Sequence, residues 1–461
     1  MAFHHGTETK KTDGGSSPIY TIDGAITALV GTAYSGPVNE LTVCKTQKDF
    51  AQFGAASGNG FTIADAAEIL ALYQAGTYYV VNVLDPAKHK KDVSDETVTP
   101  TEDKQFAVKP GVVAGSLVLQ SDSAPLTLDK DYTFDPETGK GTLSAAKENL
   151  TASYSYLDPA AVTEEEVIGA YVAATNKRTG LQAVKDGFTL YGADAKVIIV
   201  PEYDKTASMA AQMWALADSM DAEAYVQAPK GTGLSKAVQG RGAAGSINFY
   251  TSSKAANLLY PHVKRGDKLD SLAVHAAGLR MKVDVEEGFW ISHSNHELMG
   301  VTGLEVPLTA RADDINSETN QLNAVGITTV FNSYGTGYRL WGNRNASWPT
   351  NSHISNFAVS YRSGNFHDEA IRRAQLKYVD RPVDQALLDT FLEDVRTYFS
   401  GSQAVVGFDV QHDFDYDLAN AYSQGQVPLK YEWTPKLPAE RVSNNSVMTR
   451  KYLANLVSSN S

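Results

Sequence analysis

Two histidines three residues apart, His293 and His296, with Glu297 adjoining, are side chains of a type that could hold a metal. A zinc site needs a third ligand and one strand or helix face presenting all of them, and the H-E-x-x-H arrangement is absent. A polar surface loop is expected there. Gly240-Arg-Gly242-Ala-Ala-Gly245 spells the glycine pattern of a dinucleotide cradle. That chemistry requires a strand before it, a helix opening within it and an acid about 20 residues later. Here a polar stretch precedes, strand-like residues 247–251 follow, and the carboxylate nearest the offset is Asp267, so a loop is expected. Asp413-Phe-Asp415-Tyr-Asp417 imitates the start of a calcium loop, but Leu418 stands where the turn needs Gly and Gln424 where a bidentate Glu is needed. No Gly-x-Ser-x-Gly elbow occurs. Cys44, the single cysteine, excludes an internal disulfide and a Cys-based zinc site, and reads as a small buried apolar residue. No catalytic constellation emerges, and no cofactor or metal is expected.

The scaffold around these residues is of ordinary composition. The 461 residues are 43% hydrophobic and 20% charged, enough for a core of normal size. A chain this long corresponds to roughly three domains at about 150 residues each. A net charge of -13 argues against broad nucleic-acid binding, which needs many phosphate-neutralising cations. The N-terminus lacks the apolar core of a secretory signal and no apolar run reaches membrane-spanning length, so a soluble chain of a reducing cytosol is expected.

The pattern predicts an α/β (mixed α+β) fold: a parallel-rich α/β core, a small all-β insertion, and extended arms at both ends. Residues 1–24 are rich in Gly, Ser and Thr and form the first arm. Core residues 25–90 open with a buried strand at 25–31, a helix over 61–76 and a strand at 78–84. Residues 86–103 are charged and turn-rich, and short alternating strands then make 91–160 the insertion. In the core domain 161–350, Thr163 and Glu166 form a capping box opening a helical stretch towards Gly187. Strands follow at 196–200, 222–228 and 246–251, with helices over 206–220, 267–287 (with a possible break at Gly278) and 313–323. This alternation predicts a parallel sheet. The C-terminal domain 351–426 has helices over 368–379 and 384–399 and a strand over 404–410, and 427–461 is the second arm.

Charge is unevenly placed. Residues 384–417 carry eight acids and one base, a net -7, and residues 430–461 carry five bases and two acids, a net +3. An acidic module followed by a basic arm suits binding a second copy; ordinary solvated charge explains the same counts.

Several segments together resemble the tail sheath proteins of contractile phage tails and related injection particles. Phe3-His-His-Gly6 is similar to the opening of Mu- and P2-like sheaths. Residues 28–33, Gly36-Pro-Val38 and 49–54 look like the family's first strand, its Gly-Pro loop and its aromatic-Gly stop. Residues 301–305, 322–327 and above all Arg339-Leu-Trp341-Gly342-Asn-Arg344 follow in the family's order. The turn carried by Trp341, Gly342 and Arg344 is the most specific piece, although Asn343, Asn345 and Ala346 depart from its commoner form.

The resemblance implies a structural, non-enzymatic subunit that stacks as hexameric rings around an inner tail tube. It implies contraction from a metastable extended state to push the tube through a target envelope, without a nucleotide. Implied partners are copies of the chain, the inner tube protein, and baseplate and terminator proteins, with no direct nucleic acid and no membrane insertion. The implied place is the virion, after assembly in the host bacterial cytoplasm. Residues 2–22, with Phe3, His4, His5, Ile19, Tyr20 and Ile22, and residues 427–456, with Val427, Leu429, Tyr431, Trp433, Val447, Tyr452 and Leu453, are the expected interface arms. Helix 384–399 buries Leu387, Leu388, Phe391, Leu392 and Val395, leaving Asp384, Asp389, Glu393 and Asp394 for the tube; a merely solvated acidic face is the other reading. The alternative classes are an α/β hydrolase and another self-assembling virion protein.

Overall fold

The computed structural model describes residues 24–456. The expected N-terminal arm residues Phe3, His4, His5, Ile19, Tyr20 and Ile22 lie outside the described residues.

A central sheet of eight strands runs in the order Thr42–Cys44, Thr77–Asn82, Ile26–Gly31, Val197–Ile199, Glu223–Gln227, Ala256–Leu259, Ile327–Phe331, Arg339–Trp341. The six inner strands are parallel and the two outer ones antiparallel to their neighbours. Both faces are covered, so alternation sorts side chains by side rather than by polarity. Ile26, Ala28, Val30, Ile198 and Ala224 enter one core; Leu29, Val197, Ile199 and Tyr225 enter the other. Helix Ala207–Ser219, capped by Thr206, covers the first face through Met209, Ala210 and Met213. Helices Thr62–Leu70 and Leu272–Glu286 cover the second.

Some elements differ from expectation, each for a local reason. Residues 263–270 form a hairpin before the last of these helices, turning at Gly266 (φ +60°). Gly278 does not break that helix; a Cβ there would stand 2.4 Å from Tyr73 Cδ2, so the glycine is a packing residue. Residues 246–251 are irregular rather than a strand, with the Asn248 amide donating to the carbonyls of Asp204 and Gln227. The Thr163–Glu166 capping box forms, but its helix stops at Ile168, where Gly169 (φ +66°) packs on Thr179 and a hairpin begins.

The insertion is a four-stranded and a three-stranded sheet around Phe106, Leu119, Tyr132, Leu143, Leu150 and Tyr154. Its first strand, Lys90–Val98, falls where the sequence reads as turn-rich, because most of its side chains are exposed and no buried stripe marks it. That strand pairs with Leu150–Leu157, and Lys90 lies opposite Leu157, so the insertion leaves and returns side by side. The insertion touches the core where Glu137 accepts from the Ala56 amide (2.6 Å) and the Tyr34 hydroxyl donates to the Val112 carbonyl (3.0 Å).

Candidate functional site

The turn after edge strand Arg339–Trp341 is built around three side-chain requirements. Trp341 stacks on Phe331 of the neighbouring strand, ring centroids 4.3 Å apart. Gly342 takes φ +151°, and a Cβ there would lie 2.8 Å from Thr328 Oγ1 and 2.9 Å from its Cα, so the chain passes closer than any other residue allows. Arg344 lies over the rings of Phe357 (3.6 Å) and Trp348 (4.5 Å) and donates to the Asn356 carboxamide. Its Nε donates to both carboxylate oxygens of Glu440, at 2.9 and 3.1 Å. Glu440 is 96 residues away in the C-terminal tail, and nothing in local spacing pointed to it.

The core is joined to the C-terminal module by helix Ala358–Gln375, which starts ten residues before the expected 368. Its first part is polar yet buried: Ser360, Arg362, Asn365 and His367 are all within the structure. Arg362 pairs with Glu223 (2.9 Å) and Asp284, and Asp284 also pairs with Arg280 (2.7 Å). Lys196 pairs with Glu369. Burial alone would lower the Arg362 pKa, but the charges of Asp284 and Glu223 outweigh it and raise it. His367 is pushed down to about 4 by burial and stays neutral. It contacts the Tyr398 hydroxyl (2.9 Å) and the ring of Trp433 (4.8 Å).

In the C-terminal module, Asp384 caps helix Gln385–Gly401 by accepting from the Leu387 amide at 2.8 Å. Leu388, Phe391, Leu392, Val395 and Phe399 form the buried stripe, with Leu387 half-buried. Asp384, Asp389 and Glu393 are exposed. Asp394 is not: it is 7% exposed, accepts from the Tyr378 hydroxyl and pairs with Lys377 at 2.8 Å, which corrects its expected place on the outer face. Strand Val405–His412 forms an antiparallel hairpin with Leu429–Pro435. The segment from Val427, expected to open the arm, here pairs within its own chain as far as Pro435. Val427 packs near Leu388 and Phe391, Leu429 pairs with His412, Tyr431 donates to Asp368 (2.7 Å), and Trp433 packs on His367, all within one chain. Val447, Tyr452 and Leu453, further on, are exposed. Among the described residues the two-stranded sheet has no third strand, so both outer edges keep unpaired backbone groups.

The groups singled out for chemistry do not converge. His293 is buried beside Tyr225, its pKa held well below the usual imidazole value by burial, whereas His296 pairs with Glu287 at 2.8 Å. Within the glycine-rich stretch, the Arg241 guanidinium donates to five backbone carbonyls, those of Val325, Phe249, Thr251, Ala346 and Trp348. That loop is a clamp on the 346–348 segment. Asp417 caps helix Leu418–Ser423 and Asp413 accepts from the Asp415 amide, so these carboxylates serve local turns. Burial pushes the Cys44 thiol up to about 12. Among the described residues, no cluster of three or more His, Cys, Asp or Glu could hold a metal, and no helix is long and apolar enough to cross a membrane.

Comparison with known proteins adds the following. The phage tail sheath protein central domain matches residues 176–346. The chain is 40% identical over 473 residues to the tail sheath protein of Burkholderia phage BcepMu, covering 99% of each. It is 25% identical over 308 residues to the tail sheath protein of Escherichia phage P2, covering 65% of this chain and 74% of that one. The contracted sheath of an extracellular contractile injection system has the same fold, with TM-score 0.60 at 12% identity over 98% of this chain and 99% of that one. The contracted helical sheath of the anti-feeding prophage gives TM-score 0.58 at 15% identity over 96% and 99%.

Proposed function

This chain belongs to the phage tail sheath protein family, and from that premise we propose how it works as a structural subunit of a contractile tail. Subunits stack as hexameric rings around an inner tail tube, assemble in an extended, metastable state, and shorten to a more stable one that drives the tube through the target envelope. The full-length identity to a tail sheath relative carries this reading. No nucleotide is consumed; the work comes from the difference between two packings of one sequence.

The open edges of the Val405–His412 and Leu429–Pro435 hairpin are the acceptors for strands from neighbouring copies. Strand addition satisfies exposed backbone groups and keeps subunits connected while they move. The donors are residues 2–22 and the tail beyond Pro435. Asp389 and Glu393, with the cap Asp384, form the acidic face turned towards the tube protein. Baseplate and terminator proteins bound the polymer, which is assembled in the host cytoplasm and leaves in the virion.

Negative-stain electron microscopy of the purified chain, alone and with its tube protein, tests the reading. Hollow, cross-striated tubes wide enough to enclose a second tube are expected. A chain that remains monomeric under both conditions would falsify it.

A further inference from the structure

The ion pair between Arg344 and Glu440 joins two parts of the chain with very different anchoring. The Arg344 side is fixed before any carboxylate arrives: its guanidinium is held over Phe357 and Trp348 and by Asn356. It forms one wall of a groove of about 590 Å³ lined also by Arg311, Asn320 and Trp341 of the body and, on the opposite side, by the tail residues Pro438 and Glu440 themselves. A guanidinium that needs no reordering, with its fork facing the groove, is a ready receptor for one carboxylate.

The Glu440 side is the reverse. From Ala439 to Arg450 every residue is exposed. Among the described residues of 437–448, Glu440 alone uses its side chain in a hydrogen bond or ion pair. Val442, Val447 and Met448 are 77%, 72% and 101% exposed, so lying on its own core leaves these three apolar groups in water. Nothing but the local tether favours the chain's own groove over the identical groove of another copy.

We propose that the Arg344 groove is an exchangeable socket, filled by Glu440 of the same chain in the isolated subunit and by Glu440 of a second copy in the polymer. The polymer half rests on the sheath reading above. The groove thereby adds a side-chain lock to the backbone pairing at the hairpin edges, and sets which copy a tail may engage.

The test uses full-length chains carrying Arg344→Glu, Glu440→Arg, both changes, or neither. Alone, each single variant forms few sedimentable polymers, at least several-fold fewer than wild type, while the double variant recovers. An equimolar mixture of the two single variants also recovers, because each tail then finds an opposite charge on the other chain. As a readout that changes neither Arg344 nor Glu440, chains carrying only Asn343→Cys are mixed with chains carrying only Ala439→Cys, two positions that line the same groove; an interchain disulfide that appears with polymerisation is expected. Rescue by the double variant without rescue by the mixture, and with no interchain disulfide, overturns the exchange and leaves a purely internal contact. Single variants that polymerise like wild type show that the pair does nothing. If wild type forms no polymer, the sheath reading itself falls, and the exchange with it.

Discussion

Gly342 owes its identity to space as well as to its backbone angle, since an added Cβ meets both backbone and side chain of Thr328 within 3 Å. Gly342→Ala is expected to cost about 2–3 kcal/mol, read as a shift in the urea midpoint, because the edge strand must yield. His367 makes a pH-dependent contribution whose sign follows from its depressed pKa. The folded protein keeps it neutral down to about 4, whereas the unfolded chain takes up a proton near 6.5. Its contribution is therefore complete above 6.5 and is lost as pH falls towards 4, by up to about 3 kcal/mol. His367→Gln should flatten that part of the stability curve relative to wild type; an unchanged difference between the two proteins across the window would refute the assignment. At this scale the sequence made Trp341, Gly342 and Arg344 legible through their motif, but not the partner of Arg344. A contact across 96 residues leaves no periodic trace. Asp394 was misplaced for a similar reason. A helical wheel puts it on the acidic face, and only the preceding segment, bringing Tyr378 and Lys377, turns that position inward.

Helix Ala358–Gln375 is the element on which the molecule's two halves depend. Removing Arg362 strands Glu223 beside Asn257 in the interior, whereas removing Lys196 leaves Glu369 with Arg373 still at 2.5 Å. Arg362→Met should therefore cost about 3–5 kcal/mol and Lys196→Met clearly less, since a stranded buried charge is the expensive outcome. Equal losses on chemical denaturation would count against this ranking. The helix's first ten residues escaped prediction because Ser360, Arg362, Asn365 and His367, which read as surface, share its buried face with Val359 and Phe366 and break the apolar stripe. Inner strands Ile26–Gly31, Thr77–Asn82, Val197–Ile199 and Glu223–Gln227 fall where the sequence reads as strand, whereas the short Ala256–Leu259, broken by Asn257, does not. Lys90–Val98 was not legible either, because a strand with most side chains in water carries no buried alternation. Residues 246–251 have strand composition but are held irregular by Arg241, which takes the carbonyls of Phe249 and Thr251, and by the segment's own Asn248, whose amide reaches the Gln227 carbonyl.

For the whole molecule, the hairpin fixes where the body ends. Residues after Lys436 can be deleted without removing any strand among the described residues, so a chain ending there should melt within a few degrees of the full protein. A chain ending at 427 loses the partner of Val405–His412 and uncovers Val410, Phe399 and His367, and it should melt markedly lower. Calorimetry of the two truncations decides this, and matching transitions would place the boundary at 427 after all. The polymer-forming capacity of the shorter loss is then a separate measurement, made on a body that is still folded. The insertion presents the opposite case. Its core is its own, and its two ends lie opposite each other at Lys90 and Leu157. Selection for folding and selection on the exposed surface consequently act on different stretches of the chain. Descendants can rewrite, lengthen or discard the insertion while the sheet beneath it goes on inheriting the same constraints.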